Sequence, residues 1–140
     1  MQRLRCPPRA DWQRKLEAMG FAFHSADGGY WDESVCYRFG AAQIDELEEA
    51  SRELHRLALE AVSHVISERR YADLDIPDLL VPLIEQSWSR RAPSLYGRFD
   101  LAYDGRSPPR MLEYNADTPT SVLEAAVAQW QWLEDTGRPD

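Results

Sequence analysis

Four polar residues in two short alternating segments have the chemistry to hold a metal ion beside a phosphate. Arg98 and Asp100 lie in the first segment, and Glu113 and Asn115 lie in the second. Residues two apart in a strand share a face of the sheet. Carboxylate and amide oxygens are ligands that Mg²⁺ prefers, and the guanidinium of arginine binds phosphate or carboxylate in a two-pronged fashion. The spacing therefore predicts a magnesium site next to an anion-binding arginine.

A turn over residues 104–108 decides how the two segments pair. If Asp104 lies opposite Pro109 in an antiparallel hairpin, the two carboxylates face each other and the arginine faces the asparagine. A slip of one residue would move these side chains to the other face. The remaining positions are apolar and are predicted to face the core: Leu95, Phe99, Leu101, Tyr103, Leu112, Tyr114 and Ala116.

The segment from Thr118 to Ser121 follows the second strand and is predicted to begin a helix. Free N–H groups at a helix N-terminus form a ready anion site, so these elements together describe a corner suited to phosphoryl transfer. The residues alone leave a simpler interpretation open. In it the charged side chains form a surface ion network, Asn115 and Asp117 shape a turn, and the hydroxyl groups cap a helix.

Periodicity of apolar residues predicts the elements that position these groups. Helices are expected over 11–19 with Asp11 as cap, over 41–70, from Pro77 to about residue 90 with an interruption or kink at Pro82, and from 118–121 to about 135. Residues 21–37 are expected to be irregular, with a turn at 27–29. Ser121 and Glu124 have the spacing of a capping box. The fold class is predicted to be α+β, with helices packed on a β-hairpin that begins a larger mixed sheet.

Length and charge limit the class of protein. The chain has 140 residues, enough for one domain, and 16 basic against 24 acidic residues give a net charge of −8. Such an acidic surface argues against nucleic acid or anionic lipid as a partner. The longest apolar stretch, 79–84, is far shorter than the ~20 residues of a membrane span, so no membrane association is expected.

The two cysteines, Cys6 and Cys36, have neither disulfide-framework nor zinc-ligand spacing, so two reduced thiols are predicted. The N-terminus lacks the apolar segment of a secretory signal, and we expect a cytoplasmic location. The three histidines, His24, His55 and His64, are not spaced as ligands of one metal and are expected in packing or surface roles.

Several motifs together resemble the glutathionylspermidine synthase family, which comprises ligases of the ATP-grasp type. They are Tyr-Gly-Arg-Phe-Asp at 96–100, Leu-Glu-Tyr-Asn-Ala-Asp-Thr-Pro-Thr-Ser at 112–121, Glu-Ala-Ala at 124–126 and Trp-Gln-Trp-Leu-Glu-Asp at 130–135. The likeness is greatest to short, synthetase-only bacterial members and extends through the whole chain.

The resemblance implies an activity and roles for particular residues. In the family, ATP phosphorylates the glycine carboxylate of glutathione, and an amine of spermidine then displaces phosphate to form an amide. Asp100, Glu113 and Asn115 match the magnesium ligands. Arg98 matches a catalytic arginine that contacts the transferred phosphate and the reacting carboxylate. Two threonines, Thr118 and Thr120, match small hydroxyl residues near the glutathione substrate.

Length is the main departure from the family. Residues 1–140 contain no glycine-rich phosphate loop, so we expect the ATP-binding region to be absent and the chain to be inactive alone. The expected layout is a loose arm over 1–10, a single α+β domain over 11–136 and a frayed end over 137–140. One of Trp130 and Trp132 is expected to be exposed. The alternatives are a non-enzymatic domain that docks on a separate ATP-grasp subunit, or a truncated remnant.

Overall fold

A computed structural model describes residues 1–138, which form four α-helices and two small antiparallel sheets. The predicted α+β class is confirmed. Within the described residues each sheet has two strands. The chain divides into two compact units, residues 1–41 with the segment from 119 onward, and residues 42–118. The predicted boundary of one domain over 11–136 does not coincide with this division.

The first unit contains β1 (Gln2–Arg5), α1 (Trp12–Ala18) and β2 (Val35–Arg38), with β1 antiparallel to β2. A π-helical turn (Glu124–Ala128) continues into α4 (Gln129–Thr136). Its core is small and centres on three fully buried side chains, Leu16, Phe21 and Ala128. The rings of Phe21 and Trp31 pack edge to face with centroids 5.6 Å apart, which accounts for the aromatic composition of the irregular segment.

The prediction of a loose arm over residues 1–10 is wrong. Residues 2–5 form β1, and Arg9 is buried with its guanidinium bound to Glu33 and Asp135, each at 2.8 Å. A buried arginine is tolerated when carboxylates pair with it. The arm is therefore held by partners that lie far away in sequence.

Two predicted features of the helix ends also differ from the structure. Asp11 does not cap α1 through its side chain, because its backbone is left-handed at φ 56° and its carboxylate pairs with Arg14 at 3.1 Å. Glu124 is buried and accepts a hydrogen bond from the Tyr30 hydroxyl at 2.8 Å, so its carboxylate is engaged away from the predicted capping box. α4 ends at Thr136 with Gly137 left-handed at φ 60°, as its glycine indicated. Of the predicted frayed end, residues 139–140 lie outside the described part.

The second unit contains α2 (Ala41–Ser67), α3 (Val81–Ser89), β3 (Arg98–Ala102) and β4 (Arg110–Asn115). α2 ends three residues before the predicted Arg70, and Arg69 has a left-handed φ of 53°. The helix predicted from Pro77 is interrupted, because a 3-10 turn (Asp78–Leu80) precedes α3. Pro82 lies in the first turn of α3, where its missing N–H costs little. No residue of α2 is fully buried, which leaves its apolar side chains partly exposed. Among residues 1–138, none of the helices combines the length and apolarity needed to cross a bilayer.

Candidate functional site

The β3–β4 hairpin brings the four predicted residues together. Arg98 pairs with Asn115 and Asp100 pairs with Glu113 in the antiparallel register, as the sequence predicted. Since residues two apart share a face, the guanidinium, the two carboxylates and the amide lie on one face of the hairpin. This is the arrangement that a cation site beside an anion site requires.

The register changes immediately beyond this site. A bulge follows Asp100, so that Leu101 pairs with Met111 and Leu112 is left without a partner on β3. Next to the turn the pairing is thus one residue away from the prediction, while at the site it is correct. Leu112 is 71% exposed and Leu95 is 100% exposed, so their predicted core positions are wrong. The bulge turns Leu112 outward, and Leu95 precedes the start of β3.

Arg98 and Asp100 form a two-pronged ion pair within β3. The Arg98 Nε donates to Asp100 Oδ1 at 2.8 Å, and Nη2 donates to Oδ2 at 3.2 Å. The hydrogen bond to Asp100 raises the pKa of Arg98 above its ordinary value, and the nearby Glu113 carboxylate adds to the effect. Both side chains are partly exposed, at 27% and 42%, so an incoming anion or cation has access to this pair.

Asn115 fixes the chain as it leaves β4. Its Oδ1 accepts hydrogen bonds from the backbone N–H groups of Asp117 at 3.2 Å and Thr118 at 3.1 Å. This is the turn-shaping role that the simpler interpretation anticipated. Thr118 is exposed beside this turn, whereas Thr120, also exposed, belongs to the first unit. Thr118 therefore belongs to the same unit as the four hairpin residues and follows Asn115 closely in the chain.

Contacts with α2 hold the hairpin in the second unit. The Tyr103 hydroxyl donates to Glu46 at 2.5 Å, which raises the pKa of Tyr103 to about 12. The Tyr114 hydroxyl lies 2.9 Å from His55 Nδ1, and the Tyr114 ring stacks on Phe99 with centroids 3.9 Å apart. His55 thus has the packing role that was predicted for it, and the face opposite the polar cluster is aromatic.

Gly97 lets the start of β3 approach Tyr114. A Cβ atom at Gly97 would lie 2.8 Å from Tyr114 Cε2 and 3.0 Å from its hydroxyl oxygen. Real side chains do not make such short contacts with an aromatic ring without displacement. The glycine next to Arg98 is therefore required by close packing beneath the polar face.

The donor set fits a hard cation in its chemistry. Two facing carboxylates and one amide oxygen are the ligand types that Mg²⁺ takes, with water and phosphate completing the shell. Within residues 1–138 there is no cluster of three or more His, Cys, Asp or Glu suited to a metal, so the amide of Asn115 is needed for a third ligand. Asp100 and Asn115 already accept hydrogen bonds, and a cation would compete with Arg98 for Asp100.

The sequence did not predict the proximity of Cys6 and Cys36. Their sulfur atoms are 3.2 Å apart, and the two cysteines are not joined by a disulfide bond in the structure. The two residues are separated by 30 positions and lie outside any cysteine motif. Only the pairing of β1 with β2, which the sequence did not indicate, brings them together.

Comparison with known proteins gives a consistent family assignment for these features. Residues 3–140 match the family model described as "Glutathionylspermidine synthase preATP-grasp". A Haemophilus influenzae protein with the provisional name acid–amine ligase is 46% identical over 132 residues, which is 91% of this chain and 33% of that protein. The bifunctional glutathionylspermidine synthetase/amidase of Escherichia coli is 36% identical over 127 residues, covering 88% of this chain and 20% of the relative. Trypanothione synthetase of Crithidia fasciculata is 34% identical over 87 residues, 61% of this chain and 13% of that enzyme. The chain spans a third or less of each of these relatives.

Proposed function

This chain belongs to the glutathionylspermidine synthase pre-ATP-grasp family, and we propose that its hairpin forms the magnesium and phosphate corner of a carboxylate–amine ligase. In this proposal Asp100, Glu113 and Asn115 hold Mg²⁺, and Arg98 is the catalytic arginine that binds the transferred phosphate and the reacting carboxylate. The observation that supports it most is the register, which pairs Arg98 with Asn115 and Asp100 with Glu113 on one face.

The proposed reaction is formation of an amide through an acyl phosphate. ATP phosphorylates a carboxylate, and an amine displaces the phosphate. Bound Mg²⁺ supplies positive charge that stabilises phosphoryl transfer. Arg98 exchanges Asp100 for the oxygens of the phosphate, because the same two N–H groups fit either anion. Thr118 and Thr120 are proposed to contact the carboxylate substrate.

The proposed substrates are a glutathione-like acid and a spermidine-like amine. The names of the Escherichia coli and Crithidia fasciculata relatives support this class, as does the word ligase in the name of the Haemophilus influenzae protein. Because residues 1–140 contain no glycine-rich phosphate loop, we propose that ATP is bound by an ATP-grasp region and that these residues alone have no ligase activity.

Divalent-ion binding tests the metal site on the chain itself. We expect Mn²⁺, a paramagnetic ion of the same oxygen-preferring class, to bind residues 1–140 and to be displaced by Mg²⁺. Glu113→Gln should weaken the binding at least about 10-fold. Glu48→Gln is the matched control, because Glu48 is an exposed glutamate on α2. Equal binding by both variants would reject Glu113 as a ligand.

Turnover tests the function. In a ligase that joins these residues to an ATP-grasp region, Glu113→Gln should lower acid- and amine-dependent release of ADP by at least about 100-fold while the protein remains folded. Normal turnover in that variant would refute the catalytic site. The proposal as a whole would be refuted if the chain bound neither Mg²⁺ nor glutathione, even when mixed with the remainder of a homologous ligase.

An apolar groove in the second unit favours a second candidate, a domain that docks on a separate ATP-grasp chain. The groove lies between α2 and α3, and Leu83, at 64% exposure, and Trp88, at 38%, contribute to its walls. Exposed apolar patches of this kind mark protein interaction sites. The name of the matching family model, which contains the words preATP-grasp, supports an ATP-grasp partner.

In the first unit, Trp130 is 53% exposed and Trp132 is half-buried, as predicted for that pair.

Light scattering of the chain with and without the remainder of the Haemophilus influenzae relative would test the docking. A defined one-to-one complex supports it, and an unchanged monomer opposes it.

A further inference from the structure

We propose that Cys6 and Cys36 are a redox-active pair of thiols that closes to an intramolecular disulfide on reaction with a small anionic disulfide. This inference is independent of the ligase proposal, because it concerns the β1–β2 sheet of the first unit. In the reduced chain the Cys6 thiol donates to the Cys36 sulfur at a distance of 3.2 Å.

The sheet register places the two thiols on the same side of the sheet. Cys36 lies opposite Leu4, and the Cys6 N–H, two residues later, donates to the Ser34 carbonyl at 2.8 Å. Leu4 and Cys6 share a face because they are two apart, and Cys36 shares that face because it pairs with Leu4. The two cysteines are thus diagonal cross-strand neighbours, a separation that side chains bridge with a small adjustment of the strands.

Exposure assigns different roles to the two thiols. Cys36 is half-buried, whereas Cys6 is 6% exposed, and burial raises the pKa of Cys6. The more accessible thiol attacks an external disulfide faster, and a buried neighbour in contact with it acts as the resolving thiol. Cys36 is therefore the attacking residue and Cys6 the resolving residue.

The reaction has two balanced steps. The Cys36 thiolate attacks one sulfur of the external disulfide, so that a mixed disulfide forms and one small thiol leaves with the proton from Cys36. The Cys6 thiolate then attacks the Cys36 sulfur, so that the protein disulfide forms and the second small thiol leaves with the proton from Cys6. The protein loses two protons and two electrons, and the external disulfide gains them.

The surroundings of Cys6 favour an anionic oxidant. A shallow groove beside it is lined by Arg3, Arg5, Ser34 and Val35 along with Cys6 itself. Two arginines at this groove attract anions to the neighbourhood of the pair. A disulfide with carboxylate groups is expected to react faster than one with ammonium groups.

The closed disulfide would fasten the N-terminal strand to β2. It would close a loop over residues 6–36, which contains α1 and the buried Phe21. Cross-linking a loop of this length restricts the unfolded chain, so the oxidised protein should have a melting temperature about 10 °C higher than the reduced protein.

The test uses the full chain with glutathione disulfide as the oxidant and cystamine as the cationic comparison. We expect the intact mass to fall by about 2 Da, both thiols to become unreactive to maleimide, and dithiothreitol to reverse both changes. Cys6→Ser should stop at a stable mixed disulfide on Cys36, whereas Cys36→Ser should react slowly and show no oxidation-dependent rise in melting temperature.

Three results would overturn parts of the proposal. Two maleimide-reactive thiols after oxidation, or two mixed disulfides on the wild-type chain, would refute formation of the internal bond. A wild-type melting temperature that oxidation does not raise would refute the fastening of β1. Equal or faster reaction with cystamine would refute the anionic class of oxidant.

Discussion

The buried ion pair between Arg9 and Glu33 offers a quantitative test of how the first unit is held together. Glu33 accepts hydrogen bonds from Arg9 Nη2 at 2.8 Å, from Arg9 Nε at 3.1 Å and from the indole N–H of Trp31 at 2.8 Å. The side chains of Arg9 and Glu33 are only 5% and 1% exposed. Replacing Glu33 by Gln therefore removes a negative charge that water cannot replace.

The expected loss of stability follows from this burial. Breaking a buried ion pair by removing one partner costs about 3–5 kcal/mol, because the other charge stays in a poorly hydrated site. Arg9 retains Asp135 at 2.8 Å, so we expect the lower end, about 3 kcal/mol. This is a large part of the ~5–15 kcal/mol by which domains are usually stable and should lower the melting temperature by about 10 °C.

Urea unfolding followed by tryptophan fluorescence measures this loss, with Trp31 as a reporter inside the network. Asp135→Asn is the control, because its side chain is 20% exposed and its partners include the exposed Lys15. We expect the control to lose about 1 kcal/mol or less. A loss below about 1 kcal/mol for Glu33→Gln, or equal losses for both variants, would refute the role assigned to the Arg9–Glu33 pair.

Three further predictions concern acid stability, the packing under the site and the metal. Burial alone would raise the pKa of Glu33, but hydrogen bonds from Arg9 outweigh the effect of burial and lower this pKa below 4.5. The pKa of Asp135 is also lowered. Because the unfolded chain takes up protons first, stability measured by urea unfolding should be constant above about pH 5. It should fall as the pH drops through about 4.5 toward the lower pKa values of these carboxyl groups in the folded chain. A stability that stays constant down to about pH 3 would contradict this prediction. Gly97→Ala should cost about 1–3 kcal/mol in the same assay, because its Cβ displaces the Tyr114 ring, and an unchanged midpoint would contradict the close packing. Arg98→Met should tighten Mn²⁺ binding several-fold yet abolish turnover of a ligase that contains it, and weaker metal binding would contradict competition for the neighbouring carboxylate.

The site could be predicted from the sequence further than the rest of the fold because its residues are close in the chain. Alternation of polar and apolar residues and a strong turn signal define a hairpin locally, and the pairing of Asp100 with Glu113 is as predicted. The bulge that leaves Leu112 unpaired was not predictable, since the alternation of polar and apolar residues continues through it. Next to the turn the observed pairing differs by one residue from the predicted pairing. The bulge adds one residue to β4 and so restores the predicted pairing at the polar residues.

Long-range partners explain what the sequence could not predict. Arg9 finds its carboxylates at positions 33 and 135, and Cys6 finds Cys36 through a strand pairing with no turn signal between the strands. A basic, proline-rich start is typical of a loose arm when it is considered alone. Pairing with β2 makes residues 2–5 a strand, and two distant carboxylates allow Arg9 to be buried.

The charge arrangement of the hairpin suggests how one face can serve both folding and catalysis. Two carboxylates on directly paired strand positions repel each other unless a positive charge lies nearby. Arg98 supplies that charge by binding Asp100 through both of its oxygens, so the hairpin does not need a metal to fold. Under the proposed function, Mg²⁺ held by these carboxylates would compete with Arg98 for Asp100 and leave the arginine N–H groups available to a phosphate. In the proposed site Asp100 would therefore position Arg98 before substrate arrives, and metal binding would free the arginine by taking its carboxylate partner.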